Sequence, residues 1–338
     1  MRPAVLISSL GALLGVAALI SLTLGRYPTT LSDILYFAGE RFFRQGGGPG
    51  GQRLQMLGNI FVDIRLPRIV AAMLIGSSLS VSGAAFQAMF INPLVSPGLL
   101  GVLAGASFGA AVGIIFAKTW LAVQMSAFAC GLLAVLAAVG LASLYRGERL
   151  LMLILGGVIS GALFTSLLMV VEYVADPYKQ LPAIIYWLMG GLSLIDKETI
   201  GAMSIPLLLG MGVLFSMATY LNVLSMGDEE ARSLGVNVKA VRLLLISAAT
   251  MVSALTVAMA GIIGWVGLVI PHIARMIVGP DNRILLPTAA LIGAFYLLTV
   301  DGMARLLFRA EVPLGILTSL VGIPFFVLVL RKAKKGWH

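Results

Sequence analysis

Gly227-Asp-Glu-Glu-Ala-Arg-Ser-Leu-Gly-Val-Asn-Val-Lys239 is a polar island between two long apolar runs. Asp228, Glu229 and Glu230 open a short helical pattern, where negative charge suits the positive end of the helix dipole. Ala231, Arg232 and Leu234 continue it. Gly235 stands where a helix would stop, because glycine takes the left-handed terminal conformation at little cost. Asn237 is placed to cap a second helix that runs through Lys239 and Arg242. Two short helices hinged at a glycine, held where the apolar runs end, make a knob that a soluble partner could grip. An ordinary solvated loop is the alternative reading of the same residues.

The flanks of this island set the class. The chain is 59% hydrophobic and 11% charged, against roughly 25% charged residues in a soluble domain. Runs of about 20 apolar residues recur along the whole length, which is the signature of membrane-spanning helices. The expected fold is all-α and polytopic, a single transmembrane domain over 1–338, with the polar element at about 223–240. A formal charge of +9 does not point to nucleic acid here. Lys and Arg gather in loops and in the tail Arg331-Lys-Ala-Lys-Lys335, where anionic lipid and orientation rules account for them. The one cysteine, Cys130, lies in an apolar run and reads as a packing residue.

In chain order the apolar runs give ten spans, at about 4–24, 66–90, 98–118, 120–144, 150–174, 200–222, 241–260, 262–279, 284–308 and 312–330. Residues 26–63 read as a polar external loop with a semi-amphipathic patch at 33–44 and a glycine run at 46–51. Ile91-Asn-Pro-Leu-Val-Ser-Pro-Gly98 reads as a tight turn, and Tyr145-Arg-Gly-Glu-Arg149 as a basic one. The apolar piece 181–192 is too short to cross. An even number of spans places both termini on one side, and the basic tail makes that side the cytoplasm.

Gly101, Gly105, Gly109 and Gly113 recur at every fourth position, as do Gly76, Ser80 and Ala84. Small residues at that spacing let neighbouring helices approach closely. The centres of the spans are nearly free of charge, whereas ion-coupled carriers place ionisable groups there. His272 follows Pro271 and reads as a packing or turn residue more readily than as a ligand. No His-Glu-x-x-His pair or cysteine cluster offers a metal site, and no Ser/His/Asp arrangement offers catalysis. No G-x-x-x-x-G-K-[S/T] loop occurs, so an ATP-driven role would need a separate engine.

Six stretches together resemble the permease subunit of type II ABC importers for iron-siderophores, haem and cobalamin. They are Arg65-Leu-Pro-Arg68, Asn92-Pro-Leu-Val-Ser-Pro-Gly-Leu-Leu-Gly101, Tyr186-Trp-Leu-Met-Gly-Gly191, Gly227-Asp-Glu-Glu-Ala-Arg-Ser-Leu-Gly-Val236, Gly264-Trp-Val-Gly-Leu-Val-Ile-Pro-His272, and Val312-Pro-Leu-Gly-Ile-Leu-Thr-Ser-Leu-Val-Gly322. They run in order from one end of the chain to the other.

The resemblance implies ten transmembrane helices per subunit in the bacterial inner membrane. It further implies a second permease copy across a central pathway, two ATPase subunits beneath and a periplasmic binding protein above. It implies no cofactor on this chain, with ATP and magnesium on the ATPase. Gly227, Asp228, Glu229, Glu230, Ala231, Arg232, Leu234 and Gly235 match the coupling helices that fit the ATPase. Arg65, Arg68 and Arg305 match external positions that pair with carboxylates of the binding protein, a role suited to the planar guanidinium fork; interfacial anchoring by snorkelling is the alternative. The pathway candidates are Ser160, Thr165, Ser166 and Met169.

Two rival classes stand beside this. A secondary carrier would need mid-membrane charge or repeated broken helices, and a membrane scaffold or receptor would need no ATPase. For the importer, a metal chelate is the expected cargo and a smaller oxyanion such as molybdate the alternative.

Overall fold

The computed structural model describes residues 3–25, 27–43, 51–117, 119–144, 149–307 and 310–333. In chain order the helices are α1 (Pro3–Thr23), α2 (Leu31–Phe43), α3 (Gly51–Gly58), a π-helical segment (Asn59–Arg65), α4 (Leu66–Met89), a 3-10 turn (Pro97–Leu100), α5 (Val102–Phe116), α6 (Trp120–Leu144), α7 (Arg149–Val174), α8 (Gln180–Leu188), α9 (Lys197–Ser216), α10 (Ala218–Leu224), α11 (Asp228–Ser233), α12 (Val238–Ala260), α13 (Val266–Val278), α14 (Asn282–Leu306) and α15 (Leu314–Ala333). Among the described residues, seven helices are long and apolar enough to cross a membrane, and three shorter apolar helices accompany them. These ten coincide with the ten expected runs. The short piece at 181–192 forms α8, too brief to span. Gly46 to Gly50, the basic turn at 145–148 and the tail residues Lys334 and Lys335 lie outside the described residues.

One stretch departs from the sequence reading. The described residues within 26–63 are largely helical, with α2 on the expected semi-amphipathic patch. They contain α2 and α3, and α3 runs through the π segment into α4, giving a continuous helix from Gln52 to Met89. Its 38 residues would extend about 57 Å at 1.5 Å each, well beyond a hydrocarbon core of about 30 Å. The π segment has a local cause. Pro67 lacks an N–H, and its ring would press on the preceding turn of a regular helix. Widening that turn, so that Leu66 N–H bonds to Phe61 O, lets the chain pass the proline unbroken.

Glycine sets the helix spacing. A Cβ at Gly76 would collide with the carbonyl of Gly293 on α14, and one at Gly83 with that of Gly267 on α13. At Gly105 and Gly109 it would strike the Cys130 and Ser126 carbonyls of α6, and at Gly113 it would lie 2.8 Å from Val123 Cα. The expected small-residue stripes are therefore contact faces for α6 and α14. Gly101 serves differently, turning the chain from the 3-10 segment into α5 at φ 83°. Without a hydrophobic drive between helices in lipid, such packing is reinforced by side-chain bonds to backbone. Ser77 Oγ donates to Ala290 O at 3.0 Å, and Ser126 Oγ to Gly109 O at 2.6 Å. The interior is built around α4 and α12, while α1 and α7 present broad apolar surfaces outward.

Helix directions then separate two ends. The start of α4, the end of α1 and the end of α14 meet at one end, where Arg65 and Arg305 bond to the α1 terminus. The end of α4, α10, α11 and the start of α14 meet at the other. The N-terminal end of α1 and the C-terminal end of α15 lie at the α11 end.

Candidate functional site

At the α11 end the polar island has its glycine break and asparagine cap where the sequence suggested, but only α11 is short; the second helix is the start of the long α12, and one feature is added. Gly227 enters α11 at φ 123° and Gly235 leaves it at φ 79°. The terminus closes by Gly235 N–H to Arg232 O and Val236 N–H to Ala231 O, as helix ends with a left-handed residue do. The Asn237 side chain accepts from Ala240 N–H at 3.1 Å and caps α12. Ala231 and Val238 seal the element onto the bundle, while Glu229, Glu230, Arg232 and Leu234 face outward. Leu234 is 61% exposed at the tip.

The addition is a brace. Both guanidinium arms of Arg242 donate to the two Asp228 carboxylate oxygens, at 2.9 and 2.6 Å. Arg242 is only 5% exposed. Asp228 thus does more than complement the α11 dipole: it locks α11 to α12. The signal available in the sequence was Arg242 itself, a charge at the start of an apolar run, which must find a partner. A second tie holds α10. The Asn222 amide donates to Asp281 Oδ1 at 2.7 Å, and its carbonyl oxygen accepts from Asn282 N–H. The Arg283 guanidinium foremost, and then Asn222, hold the Asp281 carboxyl well below the usual carboxylate range. This tie is therefore charged throughout the neutral range.

At the opposite end the three expected arginines are brought together across 240 positions, around a cavity of about 270 Å³. They are not free. Arg65, 5% exposed, donates to Leu22 O, to Thr29 Oγ1 and to Tyr27 O at 2.6 Å. It pins the α1–α2 connection to the π segment. Arg68 bonds Asp301 at 2.8 Å through Nε and pairs with Glu311. Arg305 pairs with Asp301 at 3.1 Å and donates to Ser21 Oγ at 3.0 Å. Asp301 is fully buried. The picture of three guanidinium forks waiting on an open rim is thus replaced by an internal cluster of three cations and two carboxylates, with a net charge of one. Arg305 lies four residues from Asp301, within reach on one helix, whereas Arg68 lies over 200 residues from both carboxylates, a pairing the sequence does not show.

The four pathway candidates on α7 separate. Thr165, Ser166 and Met169 are exposed on the outer face of α7. Ser160 is 1% exposed and donates to Ala134 O at 2.6 Å, so it faces α6 inside the chain. Ser166 Oγ turns back to Ala162 O of its own helix. Met169 belongs to a wider uncovered apolar face with Val158, Ile159, Leu163, Val170 and Tyr173. His272 lies at the α11 end, where it lines a cavity between α4 and α13. Among the described residues no group of three His, Cys, Asp or Glu side chains could hold a metal ion.

Residues 13–332 match the FecCD transport family. The chain is 38% identical to the molybdate import system permease MolB of Haemophilus influenzae, over 96% of this chain and 94% of that protein. It is 39% identical to the hemin transport system permease HmuU of Yersinia pestis, over 82% and 85%. The vitamin B12 import system permease BtuC of Salmonella arizonae is 40% identical over 84% and 87%. A solved chain described as an inward-facing conformation of a metal-chelate type ABC transporter superposes with a TM-score of 0.85, at 36% identity, covering 96% of this chain and 98% of that one. The chain belongs to the FecCD transport family. It is a multi-pass membrane protein, the permease of an ABC importer.

Proposed function

We propose that this permease pairs with a second copy in the bacterial inner membrane and carries a metal chelate (an iron-siderophore, haem or cobalamin) inward when ATP is hydrolysed by two separate ATPase subunits docked at α11. A periplasmic binding protein delivers the cargo at the arginine end. The observation that carries the reading is Leu234, an apolar side chain 61% exposed on a short helix braced by a buried arginine. A rigid element with an apolar tip outside the bundle is what a partner needs in order to push. The second copy would cover the apolar outer face of α7, with the cargo passing Thr165, Ser166 and Met169. Molybdate is the second reading of the cargo, favoured by the near full-length match to a molybdate permease.

ATP-dependent uptake into vesicles carrying the permease, its ATPase and the binding protein tests both levels. Accumulation of ferric chelate, haem or cobalamin supports the first cargo, and accumulation of molybdate the second. Uptake that proceeds without ATP, or a permease that retains no ATPase on purification, would overturn the docking of ATPase subunits at α11.

The proposed orientation sets both termini and 223–240 in the cytoplasm. In a Cys130→Ser background, an impermeant thiol reagent on intact cells should label Gly48→Cys and leave Glu229→Cys untouched until the membrane is opened. The reverse pattern would invert the topology.

Docking at the arginine end follows a modified expectation. Glu311 pairs with Arg68 and would compete with a carboxylate of the binding protein. Glu311→Gln should leave Arg68 paired with Asp301 alone and add one net positive charge. Faster association at low salt, and a steeper loss with added salt, are the expected outcome, since exposed interfacial charge acts mainly on the on-rate. An unchanged on-rate would leave these arginines a purely internal role.

A further inference from the structure

At the α11 end a cavity of about 340 Å³ opens between α4, α10, α13 and α14, lined by Gln87, Asn92, Ser225, His272, Arg275 and Asn282 among others. Its cation stands apart from the other buried or half-buried arginines among the described residues. Arg68, Arg242 and Arg305 each pair with a carboxylate, and Arg65 is bonded by three oxygens. Arg275, only partly exposed, donates one bond, from Nη1 to Gln87 Oε1 at 3.1 Å. No carboxylate among the described residues forms an ion pair with it. A guanidinium carries five donors in a fixed fork, and one bond to Gln87 leaves most of them unengaged at the cavity wall. Its direction is also set beforehand: Gln87 Nε2 donates to Leu268 O at 3.2 Å, which presents Oε1 to Arg275. The His272 ring, one helical turn before Arg275, lines the same space.

We propose that this cavity binds a phosphate group, held by the Arg275 fork with His272 and the rim residues Asn92 and Ser225 around it. A half-buried unpaired guanidinium is costly, and an anion removes that cost. Phosphate is the class that fits the place. The cavity lies at the polar end of the bundle, where phospholipid headgroups sit and where basic pockets between transmembrane helices receive them. A free phosphate from the adjoining solution has the same chemistry. Either one would join α10, which leads directly into α11, to α4 and α13, and so would stiffen the seat of α11. The inference concerns binding by this chain and stands apart from the importer reading.

The test uses the full-length permease purified in detergent and exchanged into chloride buffer. Thermal unfolding is followed while inorganic phosphate replaces chloride at constant ionic strength, and again in nanodiscs of phosphatidylglycerol against a neutral glycolipid without phosphorus. A stabilisation by inorganic phosphate identifies the free anion, and one by phosphatidylglycerol alone identifies the headgroup. Arg275→Lys should keep the response, and Arg275→Gln should weaken apparent affinity about tenfold or more, as loss of a charged hydrogen-bond partner does. Asn92→Asp supplies a check should Arg275→Gln fail to fold. It preserves the acceptor for Leu94 N–H at an exposed position and sets a negative charge on the rim, so it too should weaken the response. Absence of stabilisation in the wild type by either source, or wild-type responses in both Arg275→Gln and Asn92→Asp, would overturn the proposal.

Discussion

Leu234→Asp is expected to abolish ATPase association, or the coupling of hydrolysis to uptake, while leaving the permease folded and inserted. Leu234 is the exposed apolar side chain at the tip of α11, and the residues that seat the element are others. Ala231 and Val238 are buried, and Arg242 is bonded to Asp228. A carboxylate at position 234 therefore costs the free chain little. In a closed interface it becomes an unpaired buried charge, which costs roughly 3–5 kcal/mol. At about 1.4 kcal/mol per tenfold, that is a loss of at least about a hundredfold in association. Pull-down of the ATPase by the purified permease, alongside ATP-driven uptake, measures both consequences. A variant with full ATPase binding and full uptake would show that Leu234 is not the coupling contact.

Asp301→Ala should be the most damaging single change at the other end. Asp301 is fully buried and pairs with Arg68 and Arg305, whose side chains are 12% and 10% exposed. Removing it leaves two guanidinium groups close together, with only Glu311 to offset them. Breaking a buried ion pair from one side costs roughly 3–5 kcal/mol, because the surviving charge is uncompensated. A large drop in the thermal unfolding midpoint of the purified permease is expected. An unfolding midpoint equal to wild type would mean that water already solvates the cluster. Turning Arg65, Arg68 and Arg305 to Glu would gather five carboxylates in one place. The damage would fall on the bundle before it fell on docking, so the neutral Glu311→Gln change is the cleaner probe of the outer face.

The sequence by itself determined the class of this protein and much of its plan. Apolar runs of span length can be satisfied only by helices in lipid, and ten such runs appear where expected. The α11 knob was legible for the same kind of reason: Gly227, Gly235 and Asn237 act through backbone conformation and caps within a few residues. The stripes at Gly105 and Gly109 announced a close neighbour, though not that it would be α6. What only the tertiary structure decided is where helices continue, which way they are turned, and which distant residues pair. Polar residues 51–65 look like a loop in a hydropathy window, yet they continue a helix through a π turn that relieves Pro67. Ser160 looks equivalent to Thr165 and Ser166 until the helix phase turns it onto α6. Arg68 meets Asp301 across 233 positions. A buried charge must find a partner, and that requirement is visible in one dimension; which partner it finds is set only when the helices pack.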